Sequence, residues 1–343
     1  METNLRPLTL GEILDRTAQL YRTNFWLFAG IASVYSGAIL LLGLLQIGVQ
    51  ELLVAEHLAK YVLLAGGIGL VVQFAVSFVV GGLAVAANNR AVGWVHLGEP
   101  ATIRGSYASI LPKTGRYVWL MTIMLVILWT PMAVAYGGYL LTIFVWLRPL
   151  SKGALSHSVV APSDPRAALA LGVATILFGL FFMVALAYAL VMFLRYALAI
   201  AASVVEDLKA WRAIGRSVEL SKGSRGRIFV LALLVVVIQL GLVGITQLFF
   251  IMMAFRHGQL PVGARIAQQL VAFATNTFIG PIYATGLTLF YYDQRVRKEG
   301  YDIEWMMQAA GLVQTAGLTP PAPDATAAEP VAPAGVPDQT EHA

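Results

Sequence analysis

The chain alternates between long apolar tracts and short charged ones. Six stretches contain no Asp, Glu, Lys, Arg or His: Phe25–Gln50, Tyr61–Asn89, Tyr117–Leu147, Ala167–Leu194, Ile228–Phe255 and Ile266–Tyr292. Each exceeds the roughly 20 helical residues that cross a hydrocarbon layer about 30 Å thick, and none is long enough to cross twice. A charge at mid-membrane costs at least ~2.5 kcal/mol, so uncharged windows are the ones a bilayer accepts. The pattern predicts an all-α, polytopic membrane helix bundle, with six transmembrane helices in three hairpins. Thr130-Pro131 predicts a kink inside the third span, because proline removes an amide donor.

Between the windows the periodicity is that of amphipathic helices, one before each hairpin. Thr9-Leu10-Gly11-Glu12 reads as a capping box, and Leu10, Ile13, Leu14, Thr17, Leu20 and Tyr21 then recur at helical spacing. Glu12 and Arg16 on the opposite side form a favourable i,i+4 pair. Asp207–Leu220 repeats the design, with Leu208, Trp211, Ile214 and Val218 apolar and Lys209, Arg212 and Arg216 on the polar side. Such helices are expected to lie in the interface plane. The middle stretch, Thr102–Arg116, is the weakest of the three because of Pro112. Residues 1–8 form an N-terminal tail and 9–310 the membrane domain. Residues 311–343, rich in Pro and Ala, form a tail predicted to be disordered.

Composition sharpens this picture. Of the 343 residues, 58% are hydrophobic and only 12% charged, against roughly a quarter in soluble domains. The absence of cysteine excludes disulfides, thiolate metal sites and thiol nucleophiles. Of 23 Lys and Arg residues, 17 fall on one side of the predicted membrane and 6 on the other. Cationic loops stay in the cytoplasm, so both termini are expected there. Met1–Asn24 lacks the h-region of a signal peptide, so the first span is expected to serve as the insertion signal. Arg195 interrupts a long apolar tract. It is read as a snorkelling residue at the inner boundary, or alternatively as a partner for Glu206 or Asp293. The ten residues after it are expected to bend along the inner leaflet.

Three boxes carry a resemblance. The first runs from Arg6-Pro-Leu-Thr-Leu-Gly-Glu-Ile-Leu-Asp-Arg-Thr to Tyr21-Arg22-Thr23-Asn24-Phe25-Trp26. The second is Glu206, Ala213-Ile214-Gly215-Arg216-Ser217 and Leu220-Ser221-Lys222-Gly223, ending at Arg227. The third is Leu289-Phe-Tyr-Tyr-Asp-Gln-Arg-Val-Arg-Lys-Glu-Gly-Tyr-Asp-Ile-Glu304. In this order they resemble the bacterial family called the glycerophosphoryl diester phosphodiesterase membrane domain. The resemblance implies a six-span domain of a bacterial plasma membrane, with no established biochemical role. The phosphodiesterase of the name belongs to a separate soluble domain fused to some relatives, and no counterpart of its metal-binding pattern occurs here.

Candidate chemistry is sparse. His57, His96, His157, His257 and His342 are scattered through predicted loops and the tail, and no hydrolase, metalloprotease or phosphate-loop motif is present. No catalytic residue, metal, cofactor or nucleic-acid partner is therefore expected. Glu12, Glu99, Glu206 and Asp293 fall where spans begin or end on the basic side. There they can meet Arg16, Arg195, Arg216, Arg295 and Arg297 as a salt-bridged collar, or as an anion site. Lys209, Arg212 and Arg216 make a basic stripe suited to anionic headgroups. Gln268, Gln269 and Asn276, followed by Gly280-Pro281, outline a polar path and a broken helix near mid-membrane. Ala65-x-x-x-Gly69 and Ser77-x-x-x-Gly81 predict close helix packing. The expected role is a non-catalytic membrane scaffold or regulatory module, contacting the bilayer's anionic lipid or a cytoplasmic protein. The alternative is a small-solute or lipid transporter with its pathway along the last span.

Overall fold

The computed structural model describes residues 7–151, 165–258 and 260–300. They form eleven α-helices: α1 (Leu10–Thr23), α2 (Phe25–Ala55), α3 (Val62–His96), α4 (Ile103–Ile110), α5 (Thr114–Ser151), α6 (Pro165–Tyr196), α7 (Ala199–Val205), α8 (Ala210–Ser221), α9 (Arg225–His257), α10 (Val262–Phe278) and α11 (Gly280–Glu299). Six segments are long and apolar enough to cross a membrane, the last being α10 and α11 together. This is a multi-pass membrane helix bundle. Side chains that water would reject cover its flanks, as with Leu63, 88% exposed, and Ile245, 72% exposed. The predicted tail at 311–343 lies outside the described residues.

Two hairpins pack as pairs, α2 on α3 and α5 on α6. The third differs, since α10 runs along α2 rather than along α9. The small-residue faces of α3 are where α2 comes close. A Cβ on Gly69 would sit 2.7 Å from the Gln46 carboxamide, and one on Gly81 would sit 3.1 Å from the Tyr35 ring. Helix α5 runs unbroken through Pro131.

The sequence places a helix boundary at Arg195, and α6 does end at Tyr196. The next ten residues, however, do not form a surface strip along the leaflet. Helix α7 has Ala199, Ala201, Ala202, Ser203 and Val204 buried, and it packs on α3 and α8. The bend frees backbone groups that small side chains of α8 then satisfy. Ser217 Oγ donates to the Arg195 carbonyl at 2.8 Å and accepts from the Leu198 amide at 3.1 Å. Here serine serves the backbone in a way a larger apolar residue cannot. Accordingly α8 buries Ala210, Ala213, Ile214, Ser217, Leu220 and Ser221, while Trp211, expected on the apolar side, is 65% exposed.

The last crossing breaks at Ile279. Pro281 has no amide to give the Thr277 carbonyl, and the Ile282 amide turns back to the Ile279 carbonyl at 3.1 Å. The Phe278 carbonyl, left without its helical partner, accepts a 2.5 Å hydrogen bond from the Tyr21 hydroxyl. Burial there pushes the Tyr21 pKa up to about 12, which keeps that hydroxyl a donor. Thr277 meets Ser36 of α2 hydroxyl to hydroxyl. Ser36 lies eleven residues into α2, about 16 Å of helix rise, while the Phe278 ring stacks on Phe25 at the start of that helix.

Candidate functional site

The basic face comes first, because it fixes the helix ends. Asp293 of α11 has a side chain with no exposed surface. It accepts from the Leu8 amide at 2.7 Å, from Arg297 at 2.9 Å, from Gln294 at 3.0 Å and from Arg227 at 3.3 Å. Arg227 and Arg297 also donate to the Leu8 carbonyl. Both backbone groups of the residue leading into α1 are thus tied to α9 and α11. A second cluster surrounds Glu206, which accepts from Arg216 at 2.9 and 3.0 Å and from the Tyr291 hydroxyl, with Arg295 at 3.9 Å. Burial opposes the Arg216 charge, but the hydrogen bonds it donates to Glu206 and Glu299 outweigh it and raise its pKa.

The three segments that carry the family resemblance meet in these clusters: the entry to α1, the stretch from Glu206 through α8 to Arg227, and the end of α11. Other predicted members stand apart. The Glu12 carboxylate closes the capping box on the Thr9 amide at 2.7 Å. Glu99 is exposed in the turn after α3. Arg195 lies against the Met192 sulfur at 4.0 Å. Arg216, which the spacing assigns to both the collar and the stripe, turns toward the acids, whereas Lys209 and Arg212 are exposed. Among the described residues no group of three or more His, Asp or Glu is placed to hold a metal ion.

Sequence reasoning missed one clamp. Asp207, in the turn between α7 and α8, accepts from Lys113 at 2.5 Å and Arg116 at 2.6 Å, joining that turn to the start of α5. It adopts φ 56°, a left-handed conformation that Asp and Asn tolerate. The hydrogen bonds from Arg116 and then Lys113 lower its pKa from 3.8 to about 2. A depressed carboxylate stabilises the fold at pH values above its unfolded pKa, and that contribution disappears as pH falls through the folded one. Asp207→Asn keeps the backbone conformation and removes the charge. Its thermal-stability deficit against wild type in detergent should be constant above about pH 5 and shrink to nothing toward about pH 2. A deficit independent of pH across that range would refute the clamp.

Three cavities lie along one face of α3. The first, about 390 Å³, opens at the α10–α11 break and is bounded by Tyr35, Ser77, Asn88, Asn276, Gly280 and Pro281, among mostly apolar neighbours. The second, about 590 Å³, lies toward the opposite face of the membrane and is lined by Gln46, Gln50, Gln73, Gln268 and Gln269, with Arg265. The third, about 280 Å³, is at the basic face, where Arg16 and His96 meet the junction of α1 and α2. On α3, Gln73, Ser77, Gly81, Asn88 and Val95 follow one another at spacings of four and seven, which stay on one side of a helix. On α2, Ala32 and Tyr35 recur eleven residues later as Gly43 and Gln46, offset by only about 20°.

No protein-family profile, curated protein or solved structure matches this chain.

The glutamine-lined space is built deliberately. Gly43 makes room for Gln269, whose carboxamide lies 2.7 Å from where a Cβ would stand. Gln268 donates to Gln247 of α9 at 2.8 Å. Arg265 is held by Glu51 at 2.6 Å and by Gln50, so its charge is paired at the rim. Two of the three residues predicted for a polar path, Gln268 and Gln269, line this cavity, and Asn276 lines the one at the break. The cavity at the basic face is a different case. Helices α1 and α3 both end beside it, and Arg16 lines it from the middle of α1.

Proposed function

We propose that this chain carries an amphiphilic molecule between the two leaflets of a bacterial plasma membrane, along the α3 face. The observation that supports this reading is the interrupted last crossing. It opens onto a largely apolar cavity, and the same helix face leads from there to a groove of carboxamides. An apolar body would occupy the first while a polar head follows the second. Discontinuous helices at mid-membrane serve this purpose in transporters, because freed backbone groups and a half-helix dipole sit where the cargo passes. The excess of Lys and Arg supports a cytoplasmic basic face with both termini on that side. The three sequence boxes support membership of the glycerophosphoryl diester phosphodiesterase membrane domain family.

A second reading has its own observation. Lys209, Trp211 and Arg212 are exposed together at the start of α8, a combination that suits an anionic headgroup layer. That surface favours a scaffold or regulatory role contacting anionic lipid or a cytoplasmic protein. The two readings separate in reconstituted vesicles containing tail-labelled fluorescent lipid analogues with several headgroups. Carriage predicts faster loss of inner-leaflet fluorescence to an external quencher than in protein-free vesicles, for at least one headgroup. Identical rates for every analogue would leave only the scaffold.

A further inference from the structure

The chemistry at the break goes beyond carriage to the kind of head group carried, and it rests on that reading. Asn88 lines the central cavity and is only 3% exposed. Its Nδ2 donates to Thr285 Oγ1 at 3.4 Å. Thr285 has one hydroxyl proton, and it is committed to the Pro281 carbonyl at 2.9 Å. The hydroxyl therefore accepts from Asn88, which fixes the orientation of the carboxamide: the amino group points to Thr285 and Oδ1 points away. Oδ1 is buried and has no hydrogen-bond donor. A buried acceptor without a donor costs about 1–3 kcal/mol unless an occupant supplies one.

Gly280 and Pro281 open α11 at the same cavity. Pro281 has no amide and the Ile282 amide is spent on the Ile279 carbonyl, so the site presents an unpaired acceptor against mostly apolar walls. A hydroxyl group answers it by donating its proton to Asn88, whereas a phosphate diester offers only acceptors.

Charge points the same way. Along the cavity at the break and the adjoining groove the polar groups are carboxamides and hydroxyls. Arg265 at the rim is already paired with Glu51. A charged head moving through would meet no counter-charge at mid-membrane, where an unpaired ion is costly.

We propose that the cavity at the α10–α11 break binds the hydroxyl head of an uncharged amphiphile, with Asn88 Oδ1 as the acceptor that selects it. The test uses the full chain in lipid nanodiscs and three probes: dioleoylglycerol, its O-methyl ether, and phosphatidylcholine of the same chains, whose head has no hydroxyl. Binding is read by native mass spectrometry. Wild type should retain dioleoylglycerol roughly tenfold more tightly than the ether, the cost of leaving one buried acceptor unpaired. Phosphatidylcholine should bind no better than the ether. Asn88→Leu should bind the alcohol and the ether alike. Equal retention of alcohol and ether by wild type overturns the proposal and needs no variant that folds. If the ether binds as well while labelled lipids still exchange between leaflets, the head-group inference falls and carriage stands; if nothing exchanges, carriage falls.

Discussion

Replacing Asp293 with Ala is expected to destabilise the protein by about 3–5 kcal/mol and to release α1 from the bundle. The carboxylate has no exposed surface and takes four donors, two of them guanidinium groups. Removing it leaves Arg227 and Arg297 facing each other across the Leu8 carbonyl, with the Leu8 amide unpaired. The loss is therefore the cost of stranding buried donors rather than the net worth of an ion pair, which on an exposed surface is below about 1 kcal/mol. Asp293→Asn retains an acceptor for Leu8 and should lose less. Denaturant unfolding in detergent measures the stability. Reaction of a cysteine introduced at Ile13, fully buried on α1, reports release of that helix, and the chain's natural lack of cysteine keeps the background clean. A stability within about 1 kcal/mol of wild type, or an Ile13→Cys thiol still protected, would show that α1 is held by its apolar face alone.

Blocking the central cavity should abolish carriage while leaving the fold intact. Ser77 lines that cavity from α3 and is only partly buried. Ser77→Phe places a ring in open space and breaks no tertiary hydrogen bond. Stability should therefore stay within about 1 kcal/mol of wild type, as for substitutions away from packed cores. In the vesicle assay, transbilayer exchange should fall to the protein-free rate. The equivalent change at Leu63, which is 88% exposed, should leave exchange untouched. Exchange that survives Ser77→Phe would place the route elsewhere and remove the main support for carriage.

How far the sequence went depends on which force set each feature. The spans were legible because the bilayer imposes a simple rule, and every charge-free window coincides with a long helical segment. The Thr9–Glu12 capping box was legible because its partners lie three residues apart. The break beside Gly280-Pro281 followed from one missing amide. Features set by neighbours distant in sequence were not readable. Apart from Ser203, helix α7 is Ala, Ile and Val, which suits a lipid surface and a protein core equally; Ser217, some twenty residues on, decides for the core. Arg216 has the spacing of a surface stripe, and Glu206 and Glu299 pull it inward. Asp207 gave no signal, since Lys113 and Arg116 come from the far side of two spans. Of the candidate site, the polar groups were visible as letters, but their alignment on one side of α3 required the packing of α2 and α10.

Helix α11 has a consequence for how the chain is made. From Thr285 to Gln294 its side chains are buried on every side, with threonines, tyrosines, an aspartate and a glutamine among them. The last crossing has a mean hydropathy of only 1.2, against 3.0 for α9. Such a segment gains little by leaving the translocon for bare lipid. It becomes stable when α1, α3, α8 and α9 already offer the acceptors and cations that its polar groups require. The other crossings thus form a socket, and α11 is the half-helix that completes it.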